Sequence, residues 1–301
     1  MGIFNRKDEQ ETENLPTTIF LNPTIKLLEG FKDDIGILQP IIRLTKYMRD
    51  KFAVSKGDHI VLKKDDRLVK VKVDVSSVSD GIGEVARLNP AARDLLSANI
   101  GDEIEVIPPE SLILLIDTSG SMGDYISGIM KTEATKDAVK EFIRNKFLMG
   151  HDDKIGIISF GQFATVVEKL SNNYERLENR TATLMPNGAT AMHEGVSLSI
   201  DLLSSPGGAK RIVLLTDGIP TTTGRMSIIA LAKKAASKHI VIDTVGVGSP
   251  FDFMGYDEGL LRKIAAVTGG TFRRVLDIKE LSGQFRELAE GKNYSHLLPE
   301  K

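Results

Sequence analysis

Ten residues, 112–121, written LILLIDTSGS, constrain this chain more than any other stretch. Five consecutive apolar residues stop at Asp117, and Thr118, Ser119 and Ser121 place three hydroxyls within the next four positions. An apolar run of this kind fits a strand buried on both faces, as in the centre of a parallel sheet. Its polar tip then falls just beyond the carboxyl end of the strand, where open α/β sheets hold their ligands. Asp117, Ser119 and Ser121 offer oxygen only, which suits a hard cation such as Mg²⁺.

Two later stretches have the character needed to complete the same site. Residues 211–218 (RIVLLTDG) are a second buried-strand pattern that ends in an aspartate, Asp217. Between the two, Asn187-Gly188-Ala189-Thr190 is a turn that leaves Thr190 at the start of a helical pattern. In isolation Asp117 and the serines would read as a turn that caps the next segment. With Thr190 and Asp217 in matching positions, the set D-x-S-x-S, then T, then D resembles the metal-ion-dependent adhesion site of the von Willebrand factor type A family. The resemblance covers residues 110–291 and implies a doubly wound, mostly parallel α/β sheet. It also implies Mg²⁺, or else Mn²⁺ or Ca²⁺, bound directly by Ser119 and Ser121. Thr190 would bind directly or through water, and Asp117 and Asp217 largely through water. One coordination position would be left for an acidic side chain of a partner protein.

Enzymatic readings of the same residues fit less well. A haloacid dehalogenase-type phosphatase needs a second aspartate where Ser119 stands, and an aspartic protease needs glycine there. The G-x-S-x-G nucleophile elbow is absent at this point, because Gly120 directly precedes Ser121. His193-Glu194 does not continue as H-E-x-x-H, and the five histidines show no ligand spacing. Without cysteine the chain has no disulfide, thiolate metal site or cysteine nucleophile. The expectation is a binding protein rather than an enzyme, with a metal-dependent hydrolase as the competing class.

Upstream, the chain repeats itself. Residues 42–62 (IRLTKYMRDKFAVSKGDHIVL) align without a gap on 86–106 (ARLNPAARDLLSANIGDEIEV) at a constant offset of 44, with seven of 21 positions identical. Further upstream, matching Asp33-Asp34 to Ser79-Asp80 needs a shift of two residues. Each half reads as strand, loop, strand ending in Arg-Leu, short helix, Gly-Asp turn and strand. Neither half can bury a core alone, so the two should pair into one closed barrel. The stretch 81–106 resembles the double-psi β-barrel in the amino-terminal domain of Cdc48-type AAA ATPases, which implies an AAA ATPase as a partner. No G-x-x-x-x-G-K-[ST] phosphate loop is present in this chain. The plainer alternative is an old duplication whose barrel only positions its neighbour.

The expected organisation is a polar tail (1–15), the barrel (16–109), an α/β domain (110–291) and a tail (292–301), with Pro108-Pro109 as the junction. A net charge of −2 gives no general case for nucleic acid or an anionic membrane. No apolar run reaches the length of a membrane span or a signal peptide, and Arg6 departs from a myristoylation signal at Gly2. A cytoplasmic, soluble protein is expected. The loop 249–256 (SPFDFMGY) is rich in apolar residues, and reads either as a contact surface or as a cap on the core.

Overall fold

The computed structural model describes residues 24–77, 80, 83–148, 152–204, 208–248 and 255–290. Both expected tails lie outside them, as do Phe251, Phe253 and Met254 of the apolar loop.

The first part of the chain closes into a six-stranded barrel. Its elements are β1 (Thr24–Leu28), β2 (Ile41–Leu44), α1 (Lys46–Phe52), β3 (His59–Lys64), β4 (Arg67–Val75), β5 (Val85–Leu88), α2 (Pro90–Leu96) and β6 (Glu103–Ile107). The barrel order β1-β5-β2-β4-β3-β6 carries the internal repeat into space. β1 runs parallel to β5 as β4 does to β2, and antiparallel to β6 as β4 does to β3. Arg43 faces Arg87 and Leu62 faces Val106. Both pairs are separated by the repeat offset, as a twofold axis through them requires.

Local chemistry repeats as well. Thr45 caps α1 by accepting from the Met48 amide, and Asn89 caps α2 by accepting from the Ala92 amide. Asp34 takes Arg43 with both oxygens, and Asp80 takes Arg87 in the same way, across the two-residue shift seen in the sequence. Gly57 and Gly101 occupy the Gly-Asp turns with φ of 96° and 92°, a conformation in which a β-carbon is strained. The core joins residues from both halves, among them Leu27, Ile42, Val71, Leu88 and Val106. Each fully buried aliphatic side chain there contributes roughly 1.5–3 kcal/mol.

Two prolines later the second part begins. It contains β7 (Glu110–Asp117), β8 (Tyr125–Ile126), β9 (Ile129–Met130), α3 (Lys131–Leu148), β10 (Lys154–Phe160), β11 (Ala164–Ser171), α4 (Tyr174–Thr181) and α5 (Met192–Leu202). It continues with β12 (Ala209–Thr216), α6 (Arg225–Ser237), β13 (Ile240–Val247), α7 (Glu258–Thr268), β14 (Phe272–Val275) and α8 (Leu281–Glu290). The sheet order is β11-β10-β7-β12-β13-β14, all parallel except the edge strand β11.

β7 is central, and its unbroken apolar run serves two cores. Leu112, Leu114 and Ile116 meet α3 and α8 through Phe142 and Phe285, whose rings pack edge to face. Ile113 and Leu115 point the other way, toward α5, α6 and α7. Tyr256 is buried against Gly246 and the Phe272 ring, so the described end of the apolar loop caps the core.

The barrel meets this sheet at the amino-terminal ends of its strands. Asp152, just before β10, accepts from the His59 amide at 3.0 Å, bonds His59 Nδ1 at 2.8 Å and accepts from Lys70 at 3.2 Å. The Gly208 amide, just before β12, donates to the Lys51 carbonyl at 3.0 Å. The carboxyl ends of the strands, where Asp117 lies, are at the opposite edge. Among the described residues no helix is long and apolar enough to cross a membrane.

Candidate metal centre

Asp117 is the last residue of β7, and its strand partner β12 brings Asp217 to the same edge. The loop after β7 turns at once into a 3₁₀ turn over Gly120–Gly123, which swings Ser119 and Ser121 back over the strand tip. Backbone bonds lock the third segment in place. The Asn187 amide donates to the Thr118 carbonyl at 2.6 Å, and the Gly120 amide to the Gly188 carbonyl at 3.0 Å. Gly161 makes that approach possible, since a β-carbon there would sit 2.2 Å from the Asn187 carbonyl oxygen. Thr190 is anchored by its amide, which donates to Thr221 Oγ1 at 3.0 Å.

All five residues singled out from the sequence come together. Ser119 Oγ lies 3.1 Å from Ser121 Oγ, and Ser121 Oγ donates to Asp217 Oδ1 at 2.8 Å. A β-carbon placed on Gly218 would lie 3.4 Å from Thr190 Oγ1, 3.8 Å from Ser121 Oγ and 4.0 Å from Asp117 Oδ2. Three chain segments therefore aim oxygen atoms at one small volume. Among the described residues no three His, Asp or Glu side chains gather to hold a metal. A cation here would rest on hydroxyls as much as on carboxylates, and the donor set fits a hard divalent ion.

The electrostatics point the same way. Asp117 accepts from the Ser119 amide at 2.7 Å and from Thr216 Oγ1 at 2.5 Å. Burial first, and the nearby charge of Asp217 second, outweigh those bonds and push its carboxyl up to about 7. A buried carboxylate raised by its neighbour is an arrangement that a cation between the two would relieve.

Two contributors escape the sequence motif. Thr216 is the hydroxyl that orients Asp117, hidden because it sits in the apolar run of β12. Lys131, the first residue of α3, donates to Asp217 Oδ2 at 2.6 Å. A cation at a helix amino terminus opposes the helix dipole, and that oddity was its only signal.

Residues 112–219 match the family model described as von Willebrand factor type A domain. Among solved structures, BatB from Bacteroides thetaiotaomicron superposes with a TM-score of 0.52 at 22% identity, covering 62% of this chain and 99% of its own. The α/β part of this chain has the von Willebrand factor type A fold. A von Willebrand factor type A protein from Catenulispora acidiphila also aligns at a TM-score of 0.52, with 24% identity over 62% of this chain and 43% of that one. In sequence, a UPF0353 protein of Mycolicibacterium paratuberculosis is 24% identical over 205 residues, 61% of this chain and 60% of the relative. The YwmC protein of Bacillus subtilis is 28% identical over 189 residues, 56% of this chain and 78% of that protein. The chain spans about three-fifths of the length of the UPF0353 relatives it matches.

Proposed function

We propose that the von Willebrand A part is a metal-dependent docking site for a partner protein, within an intracellular adaptor or scaffold. Ser119, Ser121 and Thr190 would hold Mg²⁺ (or Mn²⁺ or Ca²⁺) through their hydroxyls, and Asp117 and Asp217 would balance its charge. When bound, the cation supplies an electrophilic position for a carboxylate of the partner. The observation that carries this reading is the convergence of oxygen atoms from three segments around Gly218. The surroundings support it, because Tyr125 of the β8–β9 hairpin and Phe163, Met185 and Ile219 of the loops at this edge are each more than half exposed. Exposed apolar side chains beside a charged centre suit a protein surface better than a small polar substrate.

The barrel belongs to this reading as a second attachment. Its closed form and internal symmetry support kinship with the double-psi barrels of AAA ATPases, and we take such a motor as the machine it serves. Seated at the opposite edge of the sheet, the barrel leaves the metal face open.

Affinity capture from native lysate, with Mg²⁺ and again with chelator, tests the docking. Asp217→Ala should lower Mg²⁺ affinity at least tenfold, about 1.4 kcal/mol, and abolish capture. Stability should stay within roughly 1 kcal/mol, since relief of repulsion on Asp117 offsets the loss of a partner for Lys131. Undiminished capture by Asp217→Ala would place docking elsewhere. Turnover of phosphoester or peptide panels would favour the hydrolase.

A further inference from the structure

α3 begins where the short β8–β9 hairpin delivers it, and its start is pinned. The Lys131 amide donates to the Asp124 carbonyl at 3.0 Å, and Thr132 Oγ1 donates to the Met122 carbonyl at 2.7 Å. The backbone of Lys131 is thus fixed beside the site, while its four-carbon stem keeps its rotational freedom. The side chain turns inward, is 12% exposed, and donates to Asp217 Oδ2, whose carboxylate is fully buried. The other oxygen, Oδ1, accepts from Ser121 Oγ. Both oxygens of Asp217 are engaged, one of them by an ammonium that brings a full positive charge into the volume a dication would share.

We infer that Lys131 is a built-in competitor for the metal: it holds Asp217 in the metal-free chain, must release it on metal binding, and so sets the metal affinity. This rests on the metal reading proposed above. A purely structural ion pair would be the same in both states. A competitor is different, since it stabilises only the metal-free state and opposes the loaded one by like charge. The arrangement also explains the misplaced cation at the start of α3. Its partner is the carboxylate across the pocket, and the neighbouring helix end repels it toward that carboxylate.

The test is calorimetric titration of the full chain with MgCl₂ and with MnCl₂, using wild type, Lys131→Met and Lys131→Gln. Removal of the charge should tighten binding roughly tenfold or more, the worth of one charge-assisted hydrogen bond. Melting gives a second readout that does not depend on partner binding. Lys131→Met should melt below wild type without metal, and at saturating Mg²⁺ the gap should close or reverse. Lys131→Gln carries the same expectation if the methionine variant fails to fold. Equal or weaker metal binding by the neutral variants, with wild type binding normally, overturns the competitor role and leaves the metal site standing. No binding by any of the three chains overturns both.

Discussion

At the amino-terminal ends of the sheet strands, Lys146 reaches from α3 to Glu110 at 2.8 Å and to Asp153 at 2.9 Å. Beside it Arg211 donates to Asp243 at 2.6 Å and to the Leu288 carbonyl at 3.0 Å. At the carboxyl ends, Asp217 takes Lys131 and the Ser121 hydroxyl, and Asp117 takes the Thr216 hydroxyl. Both clusters are buried, and burial pushes Glu110 and Asp117 alike upward. For Glu110 the charges of Lys146 and Arg211 win, and its carboxyl ends below the ordinary range. Burial would lower Lys146 too, but Glu110 and Asp153 hold its ammonium above the ordinary range. Among the described residues no cation offsets the burial of Asp117, and Asp217 drives it further up. The first cluster is finished by the chain itself. Each carboxylate of the first cluster faces a cation, whereas in the second the ammonium lies on Asp217 and Asp117 faces hydroxyls and a second carboxylate.

Lys146 is the residue on which the amino-terminal cluster depends most. Lys146→Met should cost about 3–5 kcal/mol, because Glu110 and Asp153 are then buried without their shared cation. Urea unfolding measures it, and a loss under about 1 kcal/mol would mean that this cluster is no better compensated than the other.

Acidity sharpens the contrast next. The lowered Glu110 contributes stability above the ordinary carboxylate range, lost as pH falls through its folded value. The raised Lys146 contributes below the ordinary lysine range, lost as pH rises through its folded value. Across neutrality the amino-terminal cluster is therefore constant. Asp117 behaves oppositely. Between the ordinary carboxylate pKa of about 4 and its folded value of about 7, the folded chain keeps a proton that the unfolded chain has given up. Metal-free stability should fall by a few kcal/mol over that window. Asp117→Asn should flatten the fall, and unfolding midpoints without metal at both ends of the window decide it. A wild-type profile already flat there would remove the case for a charge-deficient site.

Legibility followed chemistry that is local or repeated. The strand tips at Asp117 and Asp217 were readable because apolar runs stop abruptly at aspartates, and parallel strands place such stops at one edge. The closed barrel was readable from its repeat, whereas the facing of Arg43 and Arg87 comes from the register of β2 on β5. α4 is only eight residues long, and its inward face is Tyr174, Leu177 and Thr181, a single aliphatic side chain among them, so no expectation covered it. The β8–β9 hairpin turns on Ser127 and Gly128, both at positive φ, between strands of two residues each. Strands that short leave no alternation to detect. Lys131 was hidden for the same reason: its place in the site is set by that hairpin and not by spacing from the motif.

Thr190 offers the finest test of what the second cluster is for. Its backbone is held on both sides by Thr221, through the amide to Thr221 Oγ1 and the carbonyl to the Thr221 amide. Its hydroxyl faces the space beside Gly218, where the other oxygens converge. Thr190→Ala should therefore leave the turn, and stability, within about 0.5 kcal/mol of wild type. Mg²⁺ affinity should drop less than tenfold, under about 1.4 kcal/mol, because both carboxylates that balance the ion remain. Partner capture should fall more than metal affinity does, if this hydroxyl joins the ion only once an outside carboxylate has taken its place opposite. Titration of Mg²⁺ alongside capture at saturating Mg²⁺ separates the two losses. Equal losses would make Thr190 an ordinary ligand in every state, and an unchanged capture would remove it from the docking site.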